Sequence, residues 1–140
     1  MFFLFRAFEK ANMYEMAETY IDSLRSLVWL GCTTTPEWVG EDVRSECHAW
    51  SAVAIYEFTA KVLGVTYKDG VINISPYIIG RSFAKGEVAT PIGMIYCEWK
   101  VADNKFQIIV KLPEGRTATL RMPDNSICEV CSGKYNCSMD

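Results

Sequence analysis

Missing from this chain is any block of lysine and arginine. Its 14 basic and 17 acidic residues are interspersed, giving a formal net charge of −3. With no basic footprint, nucleic acid is excluded as a partner. Long apolar runs are missing as well. Met1-Phe2-Phe3-Leu4-Phe5 is interrupted by Arg6 and Glu9, which leaves it too short for the core of an export signal and far too short to span a bilayer. It reads as a buried helix end; no membrane partner is expected, and the expected location is cytoplasmic. There is no internal repeat and no low-complexity segment. Histidine is nearly absent, His48 being the only one.

What is present can build a core. Half of the 140 residues are hydrophobic and 13% are aromatic, which rules out wholesale disorder and suits one ordinary domain or two small ones. Six cysteines occur, and without an export signal they are expected as reduced thiols. Cys32, Cys47 and Cys97 lie in apolar settings and read as small core residues. Cys128, Cys131 and Cys137 form a C-x-x-C-x5-C tail. A structural zinc normally takes four ligands; the fourth is missing, so these thiols read as adventitious or partner-facing, and no metal is expected.

The pattern changes near Gly64. Before it, Met13, Met16, Ala17, Tyr20, Leu24, Leu27 and Val28 recur at helical spacing, with Glu15, Glu18, Asp22 and Arg25 on the other face. An earlier helical piece covers about Phe2 to Lys10, with a turn at Asn12, and Gly31 is a stop signal after Trp29 and Leu30. Residues 32 to 46 read as a loop, because Pro36 disfavours helix at Thr35 and Gly40 adds freedom. A further helix is expected from about Cys47 to Leu63, capped by Ser45 and stopped by Gly64, with Trp50, Val53, Ala54 and Phe58 on one side. Trp29, Trp50 and Trp99 read as core.

After Gly64 the pattern is extended. Strands are expected at Val71–Ser75, Glu87–Thr90, Gly93–Val101, Lys105–Leu112, Thr117–Met122 and Ile127–Val130, with turns at Asp103-Asn104 and Pro113-Glu114-Gly115. Short strands joined by tight turns imply an antiparallel β-sandwich. The expected fold class is α+β in two parts: helices in 1–64, then a β-sandwich in 65–140.

Thr33-Thr34-Thr35-Pro36-Glu37-Trp38 and Arg44-Ser45-Glu46-Cys47-His48-Ala49-Trp50-Ser51 concentrate a carboxylate, the single imidazole and two indoles around that loop. A carboxylate to handle protons, aromatic faces and an imidazole to bond hydroxyls suit a carbohydrate site. These two stretches, with Phe5-Arg6-Ala7-Phe8-Glu9-Lys10 before them and Ile74-Ser75-Pro76, Gly86-Glu87-Val88-Ala89-Thr90-Pro91-Ile92-Gly93 and Leu112-Pro113-Glu114-Gly115 after them, resemble the C-terminal end of the bacterial α-L-rhamnosidases. Thr35 departs from the pattern, standing where the family commonly has an aromatic.

The resemblance implies helices from an incomplete (α/α)6 barrel followed by the accessory sandwich. It implies hydrolysis of terminal α-L-rhamnose with inversion, which uses an acid and a base on opposite sides of the sugar. By motif position Glu37 resembles the general base and His48 a rhamnose-binding histidine. Trp38 is a candidate sugar platform, and Arg44 a loop-shaping residue paired with Glu41 or Asp42. Glu41, Asp42 and Glu46 are fallback bases. The family's general acid lies in an earlier segment with no equivalent here. The implied chain is a C-terminal fragment, inactive alone, whose partners are a rhamnose-containing glycoside and the missing barrel segment, or another copy met through exposed helix faces such as those of Phe2 and Phe3. No cofactor is implied. The alternative is a non-catalytic carbohydrate-binding or scaffold module.

Overall fold

A computed structural model describes residues 2–11, 13–38, 42 and 44–139. The turn expected at Asn12, the freedom expected at Gly40 and the fallback carboxylate of Glu41 lie outside the described residues. By contacts the chain divides into two units, Met1–Tyr56 and Glu57–Asp140.

In the first unit, α1 (Phe2–Lys10) is followed by a 3-10 turn (Tyr14–Met16) and α2 (Ala17–Trp29), and a second 3-10 turn (Ala49–Ala52) leads into α3 (Val53–Glu57). Ala17 and Ile21 are fully covered, with Tyr14 and Leu27 nearly so. This face is rotated from the expected one: Met13, Met16, Tyr20 and Val28 are exposed. The α2 stripe is broader than the neighbouring pieces cover, and long or amphipathic Met and Tyr tolerate the open side best. Of the apolar start, Phe5 is buried while Phe2 and Phe3 are exposed, so the expectation of a wholly buried helix end is corrected.

Helix α2 stops as its sequence says. Gly31 takes φ +72°, the Cys32 N–H donates to the Leu27 carbonyl at 2.9 Å, and the Gly31 N–H donates to that of Val28 at 3.0 Å. These two bonds are a Schellman cap. Trp29 then lies outside the covered turn and is 87% exposed, which corrects its reading as core.

The second unit opens with a π-helical turn (Phe58–Val62), followed by β1 (Val65–Lys68), β2 (Val71–Ile74), β3 (Phe83–Thr90), β4 (Gly93–Ala102), β5 (Lys105–Lys111), β6 (Ala118–Arg121), β7 (Ile127–Val130) and β8 (Gly133–Ser138). Two four-stranded sheets form, in the orders β1-β2-β6-β7 and β3-β4-β5-β8. The α+β class with a β-sandwich holds. One pair departs from the expected antiparallel pattern: β2 and β6 run parallel, Asn73 opposite Thr119 and Ile74 opposite Leu120.

Alternation decides the facing. Ile95, Cys97 and Trp99 of β4, Phe106, Ile108 and Val110 of β5, Ile72 and Ile74 of β2, and Leu120 of β6 all point inward. The hairpin turns sit where short polar residues accept left-handed backbone: Asp69-Gly70 between β1 and β2, and Asp103-Asn104 between β4 and β5, have positive φ at both positions, as a type I′ turn requires.

The π-helical turn belongs with the sheets. The Trp99 Nε1–H donates to the Val62 carbonyl at 3.0 Å, the Tyr77 N–H to the Lys61 carbonyl at 2.9 Å and the Ser75 N–H to the Gly64 carbonyl at 2.8 Å. The helix expected over 47–63 is thus 3-10, then α, then π. Its N-terminal neighbour is His48 in extended conformation with no side-chain cap. Ser45, the expected cap, instead donates its hydroxyl to the Cys47 carbonyl at 3.0 Å.

Candidate active-site loop

The loop between α2 and the second 3-10 turn is two segments tied to each other. The Glu37 N–H donates to the Ser45 carbonyl at 2.9 Å, and the His48 N–H donates to the Thr35 carbonyl at 2.8 Å. The threonines add to these ties. Thr34 Oγ1 donates to the Glu46 carbonyl at 2.5 Å, and Thr35 Oγ1 reaches the His48 carbonyl at 3.5 Å. From the far side, Ser51 Oγ reaches the Glu37 carbonyl at 3.5 Å. Pro36 is buried; its ring disfavours helical backbone at Thr35, whose carbonyl accepts from the His48 N–H.

Because Glu37 is bonded to Ser45, its side chain falls opposite Arg44. The guanidinium grips the carboxylate with two bonds: Arg44 Nε donates to Oε2 at 3.0 Å, and a terminal Arg44 nitrogen donates to Oε1. Arg44 was expected to serve a neighbouring acidic residue, Glu41 or Asp42; it takes the candidate base itself. The Glu37 side chain is 18% exposed and that of Arg44 is 78% exposed. A carboxylate has about four acceptor positions, so the grip fixes its plane while leaving two for other donors. The fallback Glu46 is exposed, and its carbonyl serves Thr34; Asp42 is exposed with left-handed backbone, φ 55°.

His48 is half-buried. Its Nδ1 is covered and has no hydrogen-bond partner among the described residues. Trp38 stands beside Glu37 and is 46% exposed. Trp50, read from the sequence as core, is 65% exposed. Its ring meets that of Phe3 at a tilt, centroids 6.4 Å apart.

A hollow of about 390 Å³ opens on this unit, lined by Phe2, Ala49, Trp50, Ala52, Val53 and Tyr56. The Arg6 guanidinium lies over the rings of Tyr56 and Phe2, 5.1 and 5.8 Å from their centroids. Glu37 and His48 are not among its lining residues. Sequence reasoning missed Phe2 and Tyr56 as walls; the three-residue spacing of Trp50, Val53 and Tyr56 is the signal that places them together. Phe58, expected on the same face as Val53 and Ala54, is exposed while those two are buried.

The cysteines divide differently from expectation. Cys97 is buried, but Cys32 and Cys47 are exposed, because the chain around them is loop rather than packed helix. In the tail, Cys128 is on β7 of one sheet and Cys137 on β8 of the other. Among the described residues no group of three or more His, Cys, Asp or Glu side chains is placed to hold a metal ion. Among them, too, no helix is long and apolar enough to cross a membrane.

Helices followed by a two-sheet sandwich, with a carboxylate held in the helical loop, define an α+β chain with a C-terminal β-sandwich. Residues 67–135 match the family model of the bacterial α-L-rhamnosidase C-terminal domain, a span that runs from within β1 to within β8. Among solved structures, the α-L-rhamnosidase from Dictyoglumus thermophilum is similar over 94% of this chain, with a TM-score of 0.73 and 19% identity. The chain spans about a fifth of that protein's length, 19%. No curated protein matches the sequence.

Proposed function

We propose that this chain supplies the base-bearing last part of an (α/α)6 glycosidase barrel, in 1–64, and the accessory sandwich, in 65–140, of an α-L-rhamnosidase that inverts the anomeric centre. The observation that carries this reading is the two-bond grip of Arg44 on Glu37 within a doubly tied loop. A general base must be held at a fixed distance from its water, and a carboxylate set in one plane with open lone pairs meets that demand. In this reading Glu37 removes a proton from the attacking water, His48 Nε2 bonds rhamnose hydroxyls and Trp38 offers its face to the ring. The acid that protonates the departing oxygen comes from barrel sequence outside 1–140, so the isolated chain is inactive. The exposed Phe2, Phe3 and Trp50 surface is where the remaining helices, or another copy of the chain, pack.

The test is hydrolysis of an aryl α-L-rhamnoside by the chain joined to an upstream barrel segment. Glu37→Gln is expected to lower kcat by about 10²–10⁴-fold with product stereochemistry unchanged, and His48→Ala to raise KM. Full activity in Glu37→Gln would remove the base role, and rapid turnover by the isolated chain would remove the incomplete-site reading.

A further inference from the structure

The sandwich carries a second hollow, larger than that of the helices and unrelated to Glu37. It has a volume of about 650 Å³ and lies on β4, β5 and β8, lined by Lys100, Ala102, Lys105, Gln107, Asn136 and Ser138 together with Cys137. Such a volume falls within the range of small-molecule sites, about 300–1,000 Å³.

Strand register builds it. Lys100 is opposite Gln107 and Gln107 is opposite Asn136, one row across three strands; Ala102, Lys105 and Ser138 make the next row. These positions alternate with the inward Val101 and Phe106, so their side chains stand on the outer face. The Gln107 side-chain N–H donates to the Asn136 side-chain oxygen at 2.9 Å. That bond locks two amides edge to edge, leaving the Gln107 oxygen as an acceptor and the Asn136 nitrogen as a donor. Ala102 leaves room beside Lys105. Among the described residues no Asp or Glu lines the hollow, and two ammonium groups share it on a chain whose net charge is −3.

We infer that this face is a binding site for an acidic saccharide, a sugar unit bearing a carboxylate, recognised apart from the catalytic loop. Lys100 and Lys105 take the carboxylate, and the Gln107–Asn136 pair with the Ser138 hydroxyl takes ring hydroxyls. The amide pair offers one donor and one acceptor side by side, the pattern of vicinal hydroxyls, which a simple inorganic anion does not use. The site would hold a charged part of a glycan while the reaction proceeds elsewhere.

The experiment is an NMR titration of the full chain with three probes: a trimer of galacturonic acid, its neutral methyl ester, and inorganic phosphate. The acid trimer is expected to shift amides confined to 100–107 and 136–138 and to bind at least about tenfold more tightly than the ester. Lys100→Gln with Lys105→Gln should weaken it by about tenfold or more, the loss of charge-assisted bonds, and Gln107→Ala should weaken the trimer but not phosphate. Retained urea midpoints show that the variants remain folded, and the Glu37→Gln chain should bind as the parent does, which separates this inference from the catalytic reading. Equal binding of acid and ester, phosphate matching the trimer in affinity and shift pattern, or shifts lying elsewhere would each overturn it.

Discussion

Replacing Gly64 by alanine tests how the helical turn is joined to the sheets. Gly64 has φ +85°, and a Cβ built there would meet the Pro76 nitrogen, the Ser75 carbonyl carbon at 2.5 Å and the Pro76 Cα at 2.6 Å. All three are backbone atoms, so no side chain can swing aside, and the Ser75 N–H to Gly64 carbonyl bond at 2.8 Å holds the two segments at this separation. Two costs add. A left-handed backbone costs a residue with Cβ about 1–2 kcal/mol. Relieving the clash requires moving the link after β2, which carries the Ser75 and Tyr77 bonds. Gly70 supplies the comparison: its φ is +87°, but nothing lies within 4 Å of its added Cβ. Gly70→Ala should therefore lose only the first cost, about 1–2 kcal/mol. Gly64→Ala should lose more than about 4 kcal/mol, in the range reserved for a specific structural fault. Urea unfolding followed by circular dichroism of the sheets measures both, and in a unit of this size each kcal/mol should lower Tm by roughly 4–8 °C. Equal losses in the two variants would refute the close approach of residues 75–76 to Gly64.

Three further outcomes are expected. Trp99→Phe removes the Nε1–H that donates to the Val62 carbonyl and should cost about 1–3 kcal/mol in urea unfolding, beyond what the smaller ring loses in packing. The Cys97 thiol is pushed up to about 12 by burial, with Glu98 adding to it. In the folded chain iodoacetamide should label the exposed Cys32, Cys47, Cys128 and Cys131 and spare Cys97. Because this thiol ionises more readily unfolded than folded, its contribution to stability is fully present below the ordinary thiol value of 9.0 and is lost as pH rises toward about 12; a urea midpoint that rose through this window in comparison with Cys97→Ala would contradict it. Arg44→Ala should change overall stability by less than about 1 kcal/mol, as for exposed ion pairs, yet speed hydrogen exchange at the Glu37 and His48 amides; unchanged exchange would mean that the grip does not order the loop.

The sandwich was largely legible from period-two alternation and turn residues. Ile72 and Ile74, or Ile95, Cys97 and Trp99, declare their inward face without help from neighbours. Asp103-Asn104 reads as a turn, and Asp69-Gly70 is an equally strong signal that marks β1 as the hairpin partner of β2. Strand β8 is hidden because Gly133–Ser138 has little apolar content; it is held by pairing along β5, with only Tyr135 and Cys137 packing partly against the core. The parallel β2–β6 pair is a matter of connection, and no local pattern specifies it. The helices were less legible because apolar content there exceeds what the unit covers. Trp29 and Trp50 look like core in any periodicity argument, yet their exposure is fixed by what packs beside them.

In the loop, sequence identified the residue types and structure supplied their relation. Pro36, the threonines and Ser45 were visible as loop formers, but the bond from the Glu37 N–H to the Ser45 carbonyl is what turns Arg44 toward Glu37 instead of toward its sequence neighbours. That bond also explains the spacing of the two motif stretches. Residue 37 pairs with 45 and residue 35 with 48, so the segments run past one another with the carboxylate on one tie and the imidazole's backbone on the other. A change in length between Trp38 and Arg44 would leave every motif residue in place while breaking this register. Deleting one residue there should therefore abolish the Arg44–Glu37 grip as surely as Arg44→Ala, and hydrogen exchange at the Glu37 amide would report it. Protection of that amide in the shortened chain would show that the grip, and with it the positioned base, does not depend on the ties between the two segments.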